Sequence, residues 1–243
     1  MKKYGYAVPT RTLRKPAWND IAARFSTDRD CLAAFVALRA AEVLEGIKPS
    51  NLVNMVNRRP PCGRDFRSLW KEHGPALMRE SRLEALELID RGDSLLLLLY
   101  DRDSLERLLS RSNVVILLRR AGYAGDFDVD SILNELQSRL SSGKFPHEIG
   151  ILLGYPLKDV VGFMGWARLP LSCQGPWKIY GNPQQSLLLA ETHRECRCRM
   201  SQCLISGASP LERLRARPIS TAVVNKLETP SFFRHSIESD FHN

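Results

Sequence analysis

The most apolar stretch of the chain, Ser94 to Tyr100, contains an unbroken run of leucines from Leu95 to Leu99, yet it is only as long as a β-strand. A second apolar run, Leu86 to Ile89, precedes it. Between them lies Asp90-Arg91-Gly92-Asp93, whose glycine suits a hairpin turn, so the two runs are expected to pair antiparallel. No apolar run reaches the roughly eighteen residues that a membrane-spanning helix needs, so no membrane partner is expected. The start, Met1-Lys2-Lys3-Tyr4-Gly5-Tyr6, is basic but lacks the apolar block of a signal peptide, and the expected location is the cytoplasm.

Helical spacing surrounds the hairpin. Asp28 or Asp30 can cap a helix through Leu32, Phe35, Val36, Leu38, Val43 and Leu44, stopped by Gly46 and Pro49, with an extended stretch following from Ile47 to Val56. Phe66 to Glu80 is helical by spacing, with Gly74 and Pro75 expected to break or fray its middle. Beyond the hairpin, helices are predicted after Asp103 or Ser104, from Asn113 to Arg120, and after Asp128 or Asp130 as far as Gly143. Two short helices flank Gly154. Trp177 to Tyr180 reads as a strand and Gln184 to Leu204 as a last helix. The resulting expectation is an α+β domain over residues 28–207: a small, mainly antiparallel sheet, made from the hairpin with Trp177 to Tyr180 and with room for Asn51 to Val56, covered by several helices. A basic segment (1–27) precedes it, and a loose tail (208–243) rich in Pro, Ser and Thr follows.

The run Phe145-Pro146-His147-Glu148-Ile149-Gly150-Ile151-Leu152-Leu153-Gly154-Tyr155-Pro156-Leu157-Lys158-Asp159-Val160-Val161-Gly162-Phe163, followed by Trp177-Lys178-Ile179-Tyr180-Gly181, closely resembles the signature of the domain of unknown function 3793 family. The segment Leu44-Glu45-Gly46-Ile47-Lys48-Pro49-Ser50-Asn51-Leu52 is similar to that family's other recurrent stretch, and the resemblance covers roughly residues 35 to 210. It implies a soluble bacterial protein, mainly of anaerobes, with no assigned activity. Two departures stand out. Family members often carry Cys-Ala-Pro where this chain has Ala40, Ala41 and Glu42, and a usual pair of cysteines before Trp-Lys is reduced to Cys173, with Pro176 immediately ahead of Trp177.

Residues 146–165 also fit a helix-turn-helix-like corner. Ile149 and Leu153 take its buried face, Gly150 the crossing point, Gly154 the turn, and Val160 and Phe163 return to the core. Its outward positions, Leu157, Lys158, Val161 and Gly162, offer one lysine, which is too little to read a DNA groove. A net charge of +8, with its excess in the first fifteen residues and between Arg194 and Arg217, keeps a nucleic-acid partner, bound through this corner and the basic ends, as an alternative reading.

His147-Glu148 lacks the second histidine of a zinc protease, since Ile151 stands there. The aspartates Asp126, Asp128 and Asp130 lack the glycine and terminal glutamate of a calcium loop. No phosphate-cradling glycine loop, nucleophile elbow or other catalytic constellation occurs, so any enzyme activity is left open.

Polar and aromatic groups concentrate at His147, Glu148, Tyr155, Lys178 and Tyr180, which are the candidate ligand-binding residues of a small binding or accessory protein. Six cysteines in a reducing compartment are expected to be thiols or metal ligands. His193, Cys196, Cys198 and Cys203, with Cys173 from the preceding loop, are therefore the candidates for zinc, an iron–sulfur cluster or redox chemistry. Cys196 and Cys198 are about 200° apart on an unbroken helix, which opposes a shared ion.

Overall fold

The computed structural model describes residues 17–57, 62–143 and 145–217. The lysines and arginines up to residue 15, and the tail from residue 218, lie outside the described residues. The chain runs α1 (Trp18–Ala22), α2 (Asp28–Arg39), α3 (Ala41–Leu44), β1 (Ser50–Val56), α4 (Phe66–Glu80), β2 (Glu84–Asp90) and β3 (Ser94–Tyr100). It continues through α5 (Arg102–Leu109), α6 (Ser112–Arg120), α7 (Val129–Ser141), α8 (Ile149–Leu152) and α9 (Leu157–Phe163). A second pair of strands, β4 (Leu171–Gln174) and β5 (Lys178–Tyr180), leads into α10 (Gln184–Ile205) and α11 (Pro210–Arg215).

The hairpin forms as expected. The β2–β3 connection turns at Gly92 (φ 84°), whose N–H donates to the Asp90 carboxylate at 3.0 Å. Strand order in the main sheet is β1-β3-β2, all antiparallel, so the leucine run occupies the centre. Helices cover both faces, and this explains why β3 is apolar at successive rather than alternating positions. Leu95, Leu97 and Leu99 enter a core built with α2, α3, α4, α10 and α11. Leu98 and Tyr100 enter a second core built with α5 to α9. The result is an α+β domain with a sandwiched sheet.

Several local expectations are corrected. The helix predicted to run through Leu44 breaks at Ala40 (φ −102°, ψ 15°) into α2 and α3, and Thr27, not Asp28 or Asp30, caps α2 by accepting from the Asp30 N–H. Asp101, two to three residues earlier than expected, caps α5. Helix α4 runs unbroken through Pro75, because the proline and Lys71, whose carbonyl loses its partner, both lie on the exposed side. Gly74 is required there: a Cβ on it would sit 2.6 Å from the Trp70 ring. Strand β5 pairs with β4 in a separate two-stranded sheet, not with the hairpin. Pro210–Arg215 forms a helix, capped by Ser209, where the proline content predicts a loose tail. It packs on α2 and α4.

Candidate functional site

The stretches that carry the family resemblance converge on one place. Gly46 (φ 73°) ends α3 in a left-handed turn, and the N–H groups of Ile47 and Lys48 both donate to the Glu42 carbonyl, at 2.9 and 3.2 Å. This folds Lys48 back over α3. The buried Ser50 hydroxyl then donates to the Leu152 carbonyl at 2.7 Å, tying β1 to α8. At Gly154 (φ 72°) the chain turns against Pro49, whose Cδ would lie 2.7 Å from an added Cβ. Gly150 lets α8 and α9 cross, with Val160 Cγ2 3.2 Å from its Cβ position.

Strand β5 closes the site. The Trp177 ring stacks on Tyr155, with centroids 4.8 Å apart and planes at 21°. Its indole N–H donates to Asp159 at 2.9 Å. Asp159 is buried and also accepts from Lys158 Nζ (2.6 Å), the Tyr180 N–H (2.9 Å) and the Ser186 hydroxyl (2.6 Å). A buried carboxylate with four donors is fully compensated, so Asp159 serves as the anchor that fixes Trp177.

On one side of the Tyr155–Trp177 stack lies a polar cavity of about 250 Å³. Arg39 at the end of α2, Glu42 from α3, Lys48, Asn51 from β1, and His193 and Arg197 from α10 supply its polar wall. Asn51 sets the geometry: its amide donates to the Arg39 carbonyl at 2.6 Å and its oxygen accepts from Lys48 Nζ at 2.7 Å. Lys48 Nζ also sits 5.3 Å from the Tyr155 ring centroid. Glu42, Lys48 and His193 are 2%, 4% and 4% exposed.

Glu42 Oε1 accepts from Arg197, but Glu42 Oε2 and His193 Nε2 are buried without a hydrogen-bond partner. Burial pushes the Lys48 amine down to about 8, Arg197 adding to the effect and Glu42 opposing it. Burial, together with the charges of Lys48 and Arg197, pushes His193 down to about 3, so its imidazole is neutral near pH 7. Sequence reasoning missed Arg39, Glu42, Lys48, Asn51, Asp159 and Arg197. One signal was available: Glu42 interrupts the otherwise apolar Ala40-Ala41-Val43-Leu44 run, and a charge on a buried helical face calls for a buried partner.

On the other side of the stack is an apolar cavity of about 260 Å³, walled by Leu52, Ile149, Leu153, Val160 and Phe163. Three of the sequence-predicted ligand residues, His147, Tyr155 and Lys178, meet here. His147 lies edge-on to Phe163 with centroids 5.1 Å apart, and Lys178 Nζ is 5.5 Å from the same ring. Phe163 is 43% exposed at this mouth, not returned to the core. The other two predicted residues point elsewhere. Glu148 is buried against Arg139 at 3.2 Å, and the Tyr180 ring covers Gly162, 2.6 Å from its Cβ position. That cover, with Val161 buried and Lys158 bonded to Asp159 and the Tyr180 carbonyl, leaves the outward side of the corner no face to insert into a groove. In the basic stretch from Arg194, four arginines are already engaged: Arg194, Arg197, Arg199 and Arg215 pair with Glu191, Glu42, Glu45 and Glu80.

The cysteines do not gather. Helix α10 is unbroken, so Cys196 enters the core on one side while Cys198 is buried on another. Cys203 is half-buried near the helix end and Cys173 lies on β4. Among the described residues no group of three or more His, Cys, Asp or Glu side chains could hold a metal ion. Burial and the neighbouring Glu45 push the Cys196 thiol up to about 12, away from a reactive thiolate.

A family model described as "Protein of unknown function (DUF3793)" matches residues 36–214, a span that contains every residue of both cavity walls named above. No curated protein and no solved structure matches the chain.

Proposed function

This chain belongs to the DUF3793 family, and we propose that within it the protein is a cytoplasmic binding protein that takes a small organic anion into the polar cavity. The observation that carries this reading is the pair of buried atoms without a hydrogen-bond partner, Glu42 Oε2 and His193 Nε2, on two residues that line one cavity. Each unsatisfied buried polar atom costs about 1–3 kcal/mol. Two on residues of one cavity wall support a site completed from outside the chain. Sign and size define the guest. Arg39, Lys48 and Arg197 set three cations against the single carboxylate of Glu42, with His193 neutral, so the cavity favours a negative charge. Its volume suits a compact acid, being below that of pockets for drug-sized ligands. Glu42 Oε2 further selects a guest that carries a donor, such as a hydroxyl. A cytoplasmic location is supported by six free thiols, as a reducing compartment keeps them, and no helix among the described residues is long and apolar enough to cross a membrane.

The test is thermal unfolding of the full chain at low salt with a panel of hydroxy acids, dicarboxylic acids and phosphate. At a hundredfold excess over Kd a bound anion stabilises by about 2.7 kcal/mol. At least one acid is expected to raise the midpoint, and the rise should disappear in Lys48→Met and Arg39→Gln. No shift with any anion, or equal shifts in both variants, overturns the reading.

A further inference from the structure

Anion binding alone leaves Glu42 unexplained, because a carboxylate in the wall of a cationic cavity, with one oxygen lacking a partner, repels the very guest that Arg39 and Arg197 attract. Lys48 is equally unexpected. A lysine that only balances charge sits at a rim with its amine in water, whereas this one is 4% exposed and held to the cavity wall by Asn51 Oδ1 at 2.7 Å. Around it stand an unpartnered carboxylate oxygen, an unpartnered imidazole nitrogen and two guanidinium groups. That set contains a nucleophile, two proton carriers and a carboxylate clamp.

We propose that Lys48 forms a reversible imine with the carbonyl carbon of a small 2-oxo acid, whose carboxylate is held by Arg39 and Arg197. This deepens the anion-binding reading and rests on it. The neutral Nζ attacks the carbonyl carbon, forming the C–N bond while the C=O π bond breaks. The ammonium proton lost from nitrogen and the proton gained by oxygen are relayed by Glu42 and His193, giving a neutral carbinolamine. A proton passed through the same relay to the hydroxyl lets the C–O bond break as water leaves, the nitrogen lone pair closes the C=N bond, and the iminium returns its N–H proton to that relay. Atoms balance as amine plus ketone giving imine plus one water, with no oxidant or reductant. The neutral imidazole of His193 can donate and accept across this sequence, and it lines the same cavity as Lys48. The depressed basicity of Lys48 supplies free amine near neutral pH. Relative to a lysine at its ordinary value of 10.5, the uncharged fraction at pH 8 is larger by on the order of a hundredfold.

The full-length protein is incubated at pH 8 with pyruvate or phenylpyruvate and sodium cyanoborohydride, followed by intact mass measurement and peptide mapping. One reduced adduct per chain at Lys48 is expected, appearing on the order of a hundredfold faster than adducts on surface lysines. Lys48→Arg, which keeps the charge and the donor to Asn51, should lose that adduct, and His193→Gln should slow its formation without abolishing it. Adducts spread evenly over surface lysines in the wild-type chain, or none at Lys48, overturn the proposal without recourse to any variant. Lactate separates the two readings. If lactate stabilises the fold but pyruvate leaves no adduct, the imine fails and the anion site stands; if lactate and every other acid also fail to stabilise, both fall.

Discussion

The Ser186 hydroxyl donates to Asp159 at 2.6 Å, and the same carboxylate oxygen accepts the Trp177 indole N–H at 2.9 Å, so α10, α9 and the aromatic wall share one buried anion. Removing that anion takes the acceptor from the Trp177 indole, the Ser186 hydroxyl and the Tyr180 N–H, and leaves Lys158 Nζ only the Tyr180 carbonyl. Asp159→Ala is expected to cost about 3–5 kcal/mol, the range for breaking a buried charged network by deleting one member. Chemical denaturation measures the loss, and a red-shifted tryptophan emission would report release of Trp177 from its stack.

Gly162→Ala should destabilise by about 1–3 kcal/mol, because its new methyl would lie 2.6 Å from the Tyr180 ring and force β5 away from α9. The same substitution at Gly154 meets both Pro49 and a left-handed backbone, so its cost should be greater. Paired urea titrations of the two variants check the order.

His193 makes stability depend on pH in a definite direction. The unfolded imidazole binds its proton near pH 6.5 and the folded one only near 3. Between those values the unfolded chain carries more protons, so stability rises with pH across that window, by up to about 1.4 kcal/mol per pH unit from this group. Lys48 acts with the same sign between about 8 and 10.5. Denaturation curves of wild type and His193→Gln from pH 4 to 7 should show a flatter dependence in the variant.

Thiol reactivity should divide the cysteines by burial. Cys31, Cys196 and Cys198 are buried, and burial holds the first two well above a normal thiol. Under native conditions an aromatic disulfide reagent is expected to modify Cys62, Cys173 and Cys203 first. Fast reaction of Cys196 would show that α10 opens.

Much of the fold is legible in the sequence because it rests on local chemistry. The Asp128 cap, the Gly92 turn and the spacing of Ile132, Leu133, Leu136 and Leu140 all have their causes within a few residues. The corner at Gly150 and Gly154 is legible for the same reason. What escapes is long-range. Strand β4 is polar and short, and is a strand only because β5 pairs with it. Phe163 has the spacing of a core residue but meets His147 and Lys178 at a cavity mouth. His193 suggests a metal ligand beside cysteines, yet its neighbours are Trp177, just ahead of β5, and, across the cavity wall, Lys48 from far along the chain. The polar cavity draws its walls from positions more than a hundred residues apart, and no periodicity carries that distance.

Strand β3 belongs to two cores at once, giving alternate leucines to each. Neither helical layer can therefore melt by itself: loss of either one leaves half of the leucine ridge facing water and strips the sheet that supports the survivor. The strand works as a party wall, and heat or denaturant should find a single door, with α2 and α7 losing their protection from hydrogen exchange together.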